Sequence, residues 1–128
     1  MDLNYNHLTG VLPEEIYRMS NLAQLDLNDN FLSGTISSSI GEFQDLRLLQ
    51  IDKNLFSGTI PDTIGLLEKL EILDMFGNLF EGAMPNSICQ NRDIRGGSIT
   101  DLTVNCDEFC FPKVECTVPE CCTRCPFW

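Results

Sequence analysis

One spacing governs most of this chain, because the same residue types return every 24 positions. Four columns of residues show this interval. They consist of glycines, asparagines, isoleucines and mixed apolar residues, in that order: Gly10, Gly34, Gly58, Gly82; Asn6, Asn30, Asn54, Asn78; Ile16, Ile40, Ile64, Ile88; and Leu3, Leu27, Ile51, Met75. Several columns at one period indicate an array of structural units that fold alike and stack on one another. The array covers residues 1–93, and residues 94–128 leave the register.

Each complete unit opens with Leu-x-x-Leu-x-Leu-x-x-Asn, and the complete units are residues 22–45, 46–69 and 70–93. The Leu-x-Leu alternation has period two, which predicts a short strand with one buried face. Stacked units would pair these strands into a parallel sheet, near residues 1–4, 24–28, 48–52, 72–76 and, in a degenerate closing unit, 99–104. A second short strand is expected at Thr35-Ile36 and Thr59-Ile60, followed by a 3₁₀ or single helical turn. The asparagine column suits the turns, since an amide both donates to and accepts from bare backbone groups.

The unit beginning at Asn54 reads Asn-Leu-Phe-Ser-Gly-Thr-Ile-Pro-Asp-Thr-Ile-Gly. This resembles the plant-type leucine-rich repeat (LRR), and the resemblance extends over residues 1–93. It implies an α/β solenoid, a right-handed superhelix with a parallel β-sheet on its concave face and 3₁₀ or short helical turns on its convex face. It also implies an irregular, disulfide-rich C-terminal cap over residues 94–128.

The first unit, residues 1–21, enters the repeat at its fourth position. Met1 could be a genuine start, but we expect the chain to be the C-terminal piece of a longer LRR protein. No apolar run approaches the roughly 20 residues of a membrane helix, so no span is expected in this chain. A membrane anchor, if there is one, is expected upstream.

All seven cysteines lie beyond residue 88: Cys89, Cys106, Cys110, Cys116, Cys121, Cys122 and Cys125. The favoured interpretation is a disulfide-stapled cap, because a tail with few large apolar residues needs covalent help to stay ordered. One alternative is a zinc site built from Cys122-x-x-Cys125 and Cys106-x-x-x-Cys110. A second is a redox pair at Cys122 and Cys125, which no βαβ pattern supports. The tail is also similar to those of receptor-like LRR proteins of some unicellular algae.

Disulfides imply an oxidising compartment, so a secreted or cell-surface location is expected. Within the cap we predict a Cys89–Cys106 bridge, because Cys89 ends the regular register and Cys106 follows the closing strand. Two further bridges would leave one of the seven cysteines unpaired, and the adjacent Cys121 and Cys122 should take different partners.

The charge distribution excludes several functions. A net charge of −11 makes nucleic acid an unsuitable partner, because phosphate binding needs a basic face. The chain has one histidine, His7, and its glycines recur singly rather than in a phosphate-binding loop. We therefore expect no enzymatic activity and no cofactor.

The outward-facing positions of the predicted concave strands form the candidate binding face. They combine several carboxylates with apolar residues where solvent is expected, which suits a basic or amphipathic protein or peptide. The alternative is that this segment is a structural cap and spacer for binding repeats located elsewhere. The candidate face consists of Gln24, Asp26, Asn28, Asp29, Leu48, Gln50, Asp52, Lys53, Ile72, Asp74 and Phe76.

Overall fold

The computed structural model of the chain describes residues 1–92, 96–105, 114–116 and 121. In chain order its strands are β1 (Thr9–Val11), β2 (Gln24–Asp26), β3 (Phe31–Gly34), β4 (Leu48–Gln50), β5 (Leu55–Thr59), β6 (Ile72–Asp74), β7 (Leu79–Ala83), β8 (Asp101–Thr103) and β9 (Val114–Glu115). Three 3₁₀ turns and one short helix join them: η1 (Glu14–Arg18), η2 (Ser38–Glu42), η3 (Asp62–Leu66) and α1 (Asn86–Gln90). Among these described elements, no helix has the length and apolar character required to cross a membrane.

The strands form two parallel sheets, as expected of a solenoid. One has the order β2-β4-β6-β8, and the other β1-β3-β5-β7-β9. The first sheet is in strict repeat register, since Leu25 lies beside Leu49 and Leu49 beside Leu73. The closing strand continues it with Leu102 beside Leu73, which confirms the strand predicted at 99–104. Residues 1–4 pair with this sheet in the predicted register through a parallel bridge between Asp2 and Asp26, so the strand predicted there is shortened to a single bridge.

The second sheet begins earlier in each unit than the sequence predicted. Strand β3 occupies Phe31–Gly34 and ends before Thr35-Ile36, while β5 ends at Thr59. The difference arises because the asparagine column leads directly into this sheet: the Leu32 amide donates to Asn54 Oδ1 at 3.0 Å. Gly34 and Gly58 then adopt φ values of +80° and +76° within these strands, a conformation that glycine adopts readily.

The core lies between the two sheets and the 3₁₀ turns. The residues predicted to point inward are buried, with exposures between 0% and 1%: Leu25, Leu27, Leu49, Ile51, Leu73 and Met75. Ile40, Ile64 and Ile88 are buried beneath the convex turns, as the sequence predicted, whereas Ile16 in the first unit is half-buried. Stacking therefore builds one continuous apolar core from units that could not bury their faces alone.

A ladder of buried asparagines holds the units together. The Asn54 amide donates to the carbonyl of Leu27 in the preceding unit at 2.9 Å and to the carbonyls of Ile51 and Asp52 in its own unit. Its oxygen accepts from the Leu32 amide. Asn30 and Asn78 repeat the pattern, so the stack leaves few turn groups unpaired.

The C-terminal segment continues both sheets and is tied back by a disulfide. Cys89, on α1, is bonded to Cys121 with a Cα–Cα distance of 5.1 Å, and Cys116 is disulfide-bonded as well. The predicted Cys89–Cys106 bridge is therefore wrong, and the partner of Cys121 is Cys89 rather than the adjacent Cys122. The reason is the path of the chain: β8 lies in the first sheet and β9 pairs with β7 in the second, so the chain reaches the α1 side of the stack only after β9. Cys106, Cys110, Cys122 and Cys125 lie outside the described residues.

Candidate binding face

The solvent-facing side of the β2-β4-β6-β8 sheet is the concave face predicted from the alternation. Because adjacent strands are in register, residues 24 positions apart form columns across it. The columns bring the predicted residues together on one surface: Gln24, Leu48, Ile72; Asp26, Gln50, Asp74; Asn28, Asp52, Phe76; and Asp29, Lys53.

Exposure on this face differs from the expectation at four positions. Leu48, Ile72 and Phe76 are half-buried rather than fully exposed. Asp52 is buried, with 6% of its surface accessible. Gln24 and Lys53 are exposed, while Asp26, Asn28, Asp29, Gln50 and Asp74 are intermediate. The apolar residues of the face therefore expose less surface than the sequence suggested, and the carboxylate of Asp52 is buried.

Two carboxylates of this face, one buried and one half-buried, have raised pKa values. Burial raises the pKa of Asp74, and the neighbouring charge of Asp101 raises it further, whereas the Phe76 amide and Lys53 oppose the shift. Burial likewise raises the pKa of Asp52 to about 6, with a further contribution from Asp74. Asp52, Asp74 and Asp101 thus place several negative charges close together, where solvent does not fully screen them.

The turns after strands β2 and β4 are held in the left-handed region. Asp29 and Lys53 have φ values of +51° and +50°, and Gly77 occupies the equivalent place in the next unit. Lys53 Nζ lies 3.1 Å from Asp29 Oδ2, and this hydrogen bond raises the Lys53 pKa. The cation of the candidate face is therefore already engaged with a carboxylate of the same face.

Two oxygens on the face have no hydrogen-bond partner among the described residues: Asn28 Oδ1 and Asp52 Oδ1. Both atoms are inaccessible to solvent. They belong to adjacent units. The turns that carry them lie side by side, since the Asp29 amide donates to the Asp52 carbonyl at 3.2 Å. Native proteins rarely leave buried acceptors unpaired, so this pair marks a site with unused hydrogen-bonding capacity.

Sequence reasoning did not assign Asp101 to the face, although Asp101 lies beside Ile72 and extends the acidic surface. The sequence contained this information, since Leu102 and Val104 point inward and the alternation then directs Asp101 and Thr103 outward. It also did not single out a column of exposed apolar residues at the start of the second-sheet strands: Phe31, Leu55 and Leu79. Each directly follows an asparagine of the ladder, so the 24-residue period was sufficient to identify this column from the sequence.

The first unit leaves an open apolar groove of about 420 Å³ at its end of the stack. Leu3, Leu8 and Ile16 line it, and Leu27 and Leu32 form its floor. Leu3 and Leu8 are exposed, in contrast to their equivalents Leu27 and Leu32. An uncovered end of this kind is the region of a solenoid that is least stabilised by neighbours.

The described residues hold no cluster of three or more metal-ligating side chains. Four cysteines of the zinc interpretation, Cys106, Cys110, Cys122 and Cys125, lie outside the described part of the chain. Cys89, Cys116 and Cys121 are disulfide-bonded, so these three do not supply thiolates to a metal.

The sequence matches the family described as Leucine Rich Repeat over residues 1–19, 21–43 and 69–91, about half of the chain. No curated protein matches.

Several solved structures are similar in fold. One is the LRR ectodomain of the plant membrane receptor kinase GASSHO1/SCHENGEN3 from Arabidopsis thaliana, in complex with CASPARIAN STRIP INTEGRITY FACTOR 2, with 32% identity and a TM-score of 0.74. A second is the plant peptide hormone receptor RGFR1 in complex with RGF2, with 30% identity and a TM-score of 0.70. A third is the BIR3–SERK2 complex from Arabidopsis thaliana, with the same identity and TM-score. The matches cover 81%, 82% and 91% of this chain, but only 12%, 17% and 59% of those chains.

Proposed function

Because this chain belongs to the leucine-rich repeat family, with the fold of plant receptor ectodomains, we propose that it is a non-enzymatic module that binds a protein or peptide on its concave face. The observation that carries the proposal is the acidic surface of the β2-β4-β6-β8 sheet. On that sheet Asp26, Asp74 and Asp101 accompany half-buried Leu48 and Ile72. This combination suits a basic or amphipathic partner.

Two of the similar structures are a plant peptide hormone receptor in complex with RGF2 and a receptor ectodomain in complex with CASPARIAN STRIP INTEGRITY FACTOR 2, and this similarity supports a binding role. A secreted or cell-surface, receptor-like context is part of the proposal. The Cys89–Cys121 disulfide supports it, because such bonds persist in oxidising compartments.

The alternative is that this segment caps and spaces an array whose binding units lie elsewhere. The closing strands β8 and β9 and the Cys89–Cys121 bond favour a capping role for the C-terminal part. The two functions are compatible in one chain, but they make different predictions for the concave face.

A displayed peptide library screened against the whole chain tests the proposal. We expect the selected peptides to be enriched in basic residues and to slow hydrogen exchange in β2, β4 and β6. The variant Gln50→Lys places a positive charge at the centre of the face and should weaken their binding at least tenfold. Glu68→Lys, at an exposed position outside this sheet, is the matched control and should leave binding unchanged.

Binding that protects another surface, or that tolerates Gln50→Lys, would contradict a concave binding face. Selection that yields no peptide contacting this sheet would favour the capping and spacing role.

A further inference from the structure

The two unpaired oxygens of the concave face lie in a region rich in acceptors. Asp52 is 6% exposed, and its Oδ1 and the Oδ1 of Asn28 have no hydrogen-bond donor within the described ranges. Neighbouring parallel strands lie about 4.8 Å apart, so side chains in one column are adjacent. Leaving a buried acceptor unpaired carries a desolvation cost, and a donor supplied from outside would remove it.

The charges around Asp52 indicate what that donor should be. Asp74 and Asp29 both act on Asp52 with negative charge, and each disfavours its ionised form. Lys53 acts in the opposite sense, but its ammonium is bonded to Asp29 Oδ2 at 3.1 Å. The site therefore has an excess of negative charge and of hydrogen-bond acceptors. A cationic donor both neutralises the charge and pairs with the acceptors.

We propose that Asn28 and Asp52, flanked by Asp74, form a subsite for the guanidinium group of an arginine side chain presented by the bound protein or peptide. A guanidinium suits the site because its planar fork presents five donors and can bridge two acceptors held on neighbouring strands. The inference rests on the proposed concave-face function and names the chemistry of the residue that this face recognises.

The Asp52 side chain lies on the concave side of the sheet. Asp52 follows Ile51, whose side chain points into the core with 1% exposure, so the alternation directs Asp52 towards the opposite side of the sheet. The side chains around it there are polar or half-buried ones of the face. Binding of the guanidinium requires the Asp52 carboxylate to rotate towards this surface.

The probe that tests this subsite is N-acetyl-arginine methylamide, titrated into the whole chain at pH 7.5. We expect the side-chain carboxyl ¹³C resonance of Asp52 and the amide resonances of Asn28 and Asp29 to shift saturably, with an affinity on the order of millimolar for so small a ligand. The citrulline analogue has the same shape without the charge and should bind at least tenfold more weakly. Asp52→Asn and Asn28→Ala should each weaken arginine binding, the first at least tenfold.

Asp62→Asn is the matched control, because it removes an exposed carboxylate at the start of η3 and should leave the titration unchanged. The subsite would be refuted by equal binding of the citrulline analogue, or by an Asp52 resonance that does not respond to arginine. It would also be refuted if Asp52 proved to be protonated at pH 7.5 and hydrogen-bonded to Asn28, since the two oxygens would then satisfy each other.

The selected peptides separate this inference from the proposed function. Peptides that protect β2, β4 and β6 but bind Asp52→Asn within twofold of the parent chain would refute the subsite while the concave-face function stands. Peptides that protect none of these strands would refute the function itself. Retained affinity of every peptide after its arginines are changed to citrulline would again refute the subsite alone.

Discussion

At the scale of single residues, each buried asparagine of the ladder makes several hydrogen bonds through one side chain. Asn54 is 5% exposed and bonds to Leu27, Ile51, Asp52 and Leu32. Asn54→Ala would leave several of these buried groups unpaired, so we expect the free energy of unfolding to fall by roughly 3 to 5 kcal/mol. Urea denaturation measures the change.

Asn6 is the matched control for that substitution. It occupies the same place in the first unit, but it is exposed, and its side-chain amide donates to the carbonyls of Leu3 and Asn4 within its own unit. Asn6→Ala should cost less than about 1 kcal/mol, because water can replace its bonds. Equal losses for the two variants would mean that burial does not set the strength of the ladder.

The buried carboxylate of Asp52 gives stability a dependence on pH. Its pKa is about 6 in the folded protein against an ordinary 3.8, so the fold favours the protonated form. The resulting destabilisation is absent below pH 3.8, grows between pH 3.8 and 6, and is complete above pH 6. Asp52→Asn should therefore be more stable than the parent chain at pH 7.5, with a difference that diminishes towards pH 4.

Urea denaturation of both proteins across that range checks the sign. A variant that is less stable at pH 7.5 would show that the charged form is held by favourable contacts. Asp62→Asn controls for the loss of one negative charge at an exposed site. Retention of a destabilising carboxylate on the proposed binding face is the pattern expected where function limits stability.

These residues show what the repeat predicts and what it leaves open. The period fixes which way Ile51 and Asn54 point, because every unit must present the same face to its neighbours. It does not fix the burial of Asp52, which depends on the side chains at the same column in the adjacent units. Leu48 and Ile72 are half-buried for the same reason, since exposure on a sheet is set by cross-strand neighbours.

At the scale of elements, the route of the chain through the two sheets decides the disulfide. Spacing alone favoured the near cysteine, Cys106, whereas the order β8, then β9, carries the chain across the stack before it reaches Cys89 on α1. Connectivity of this kind follows from topology, and the irregular tail lacks the period that made the rest of the fold predictable. Both sheets continue across the proposed boundary between repeats and cap near residue 94, because β8 extends one sheet and β9 the other.

The Cys89–Cys121 bond closes a loop with a sequence separation of 32. Chain-entropy arguments assign such a loop roughly 4 kcal/mol of stabilisation. The double variant Cys89→Ser, Cys121→Ser removes this bond alone and should raise the exchange rate of amides in β8 and β9. Amides of β2 and β4 should stay protected, because a solenoid unit contacts only its neighbours.

Hydrogen exchange of the double variant and the parent chain provides the comparison. Loss of protection spread evenly over β2, β4, β6 and β8 would indicate that the stack unfolds as a single cooperative unit. Unchanged protection of β8 would mean that sheet pairing, rather than the disulfide, holds the C-terminal segment in place.

At the scale of the whole molecule, stability should vary along the stack, and four equivalent amides report it. The amides of Leu3, Leu27, Ile51 and Met75 donate to the next unit with N–O distances of 2.9, 2.8, 2.9 and 2.8 Å. Their local geometry is thus alike, while burial differs: Leu3 is 38% exposed and the other three are 1% exposed. We expect the Leu3 amide to exchange fastest, because its unit has a neighbour on one side only and an open apolar groove on the other.

The protection factors of these four amides, measured under native conditions, test the gradient. The expected order places Leu3 lowest and Ile51 highest, since the units around Ile51 are covered on both sides. Leu3→Ala should hardly change protection at Ile51, whereas Leu49→Ala removes a fully buried side chain and should lower it strongly. Equal protection at all four amides would contradict nearest-neighbour stabilisation, because the uncovered end would then be as stable as the centre of the stack.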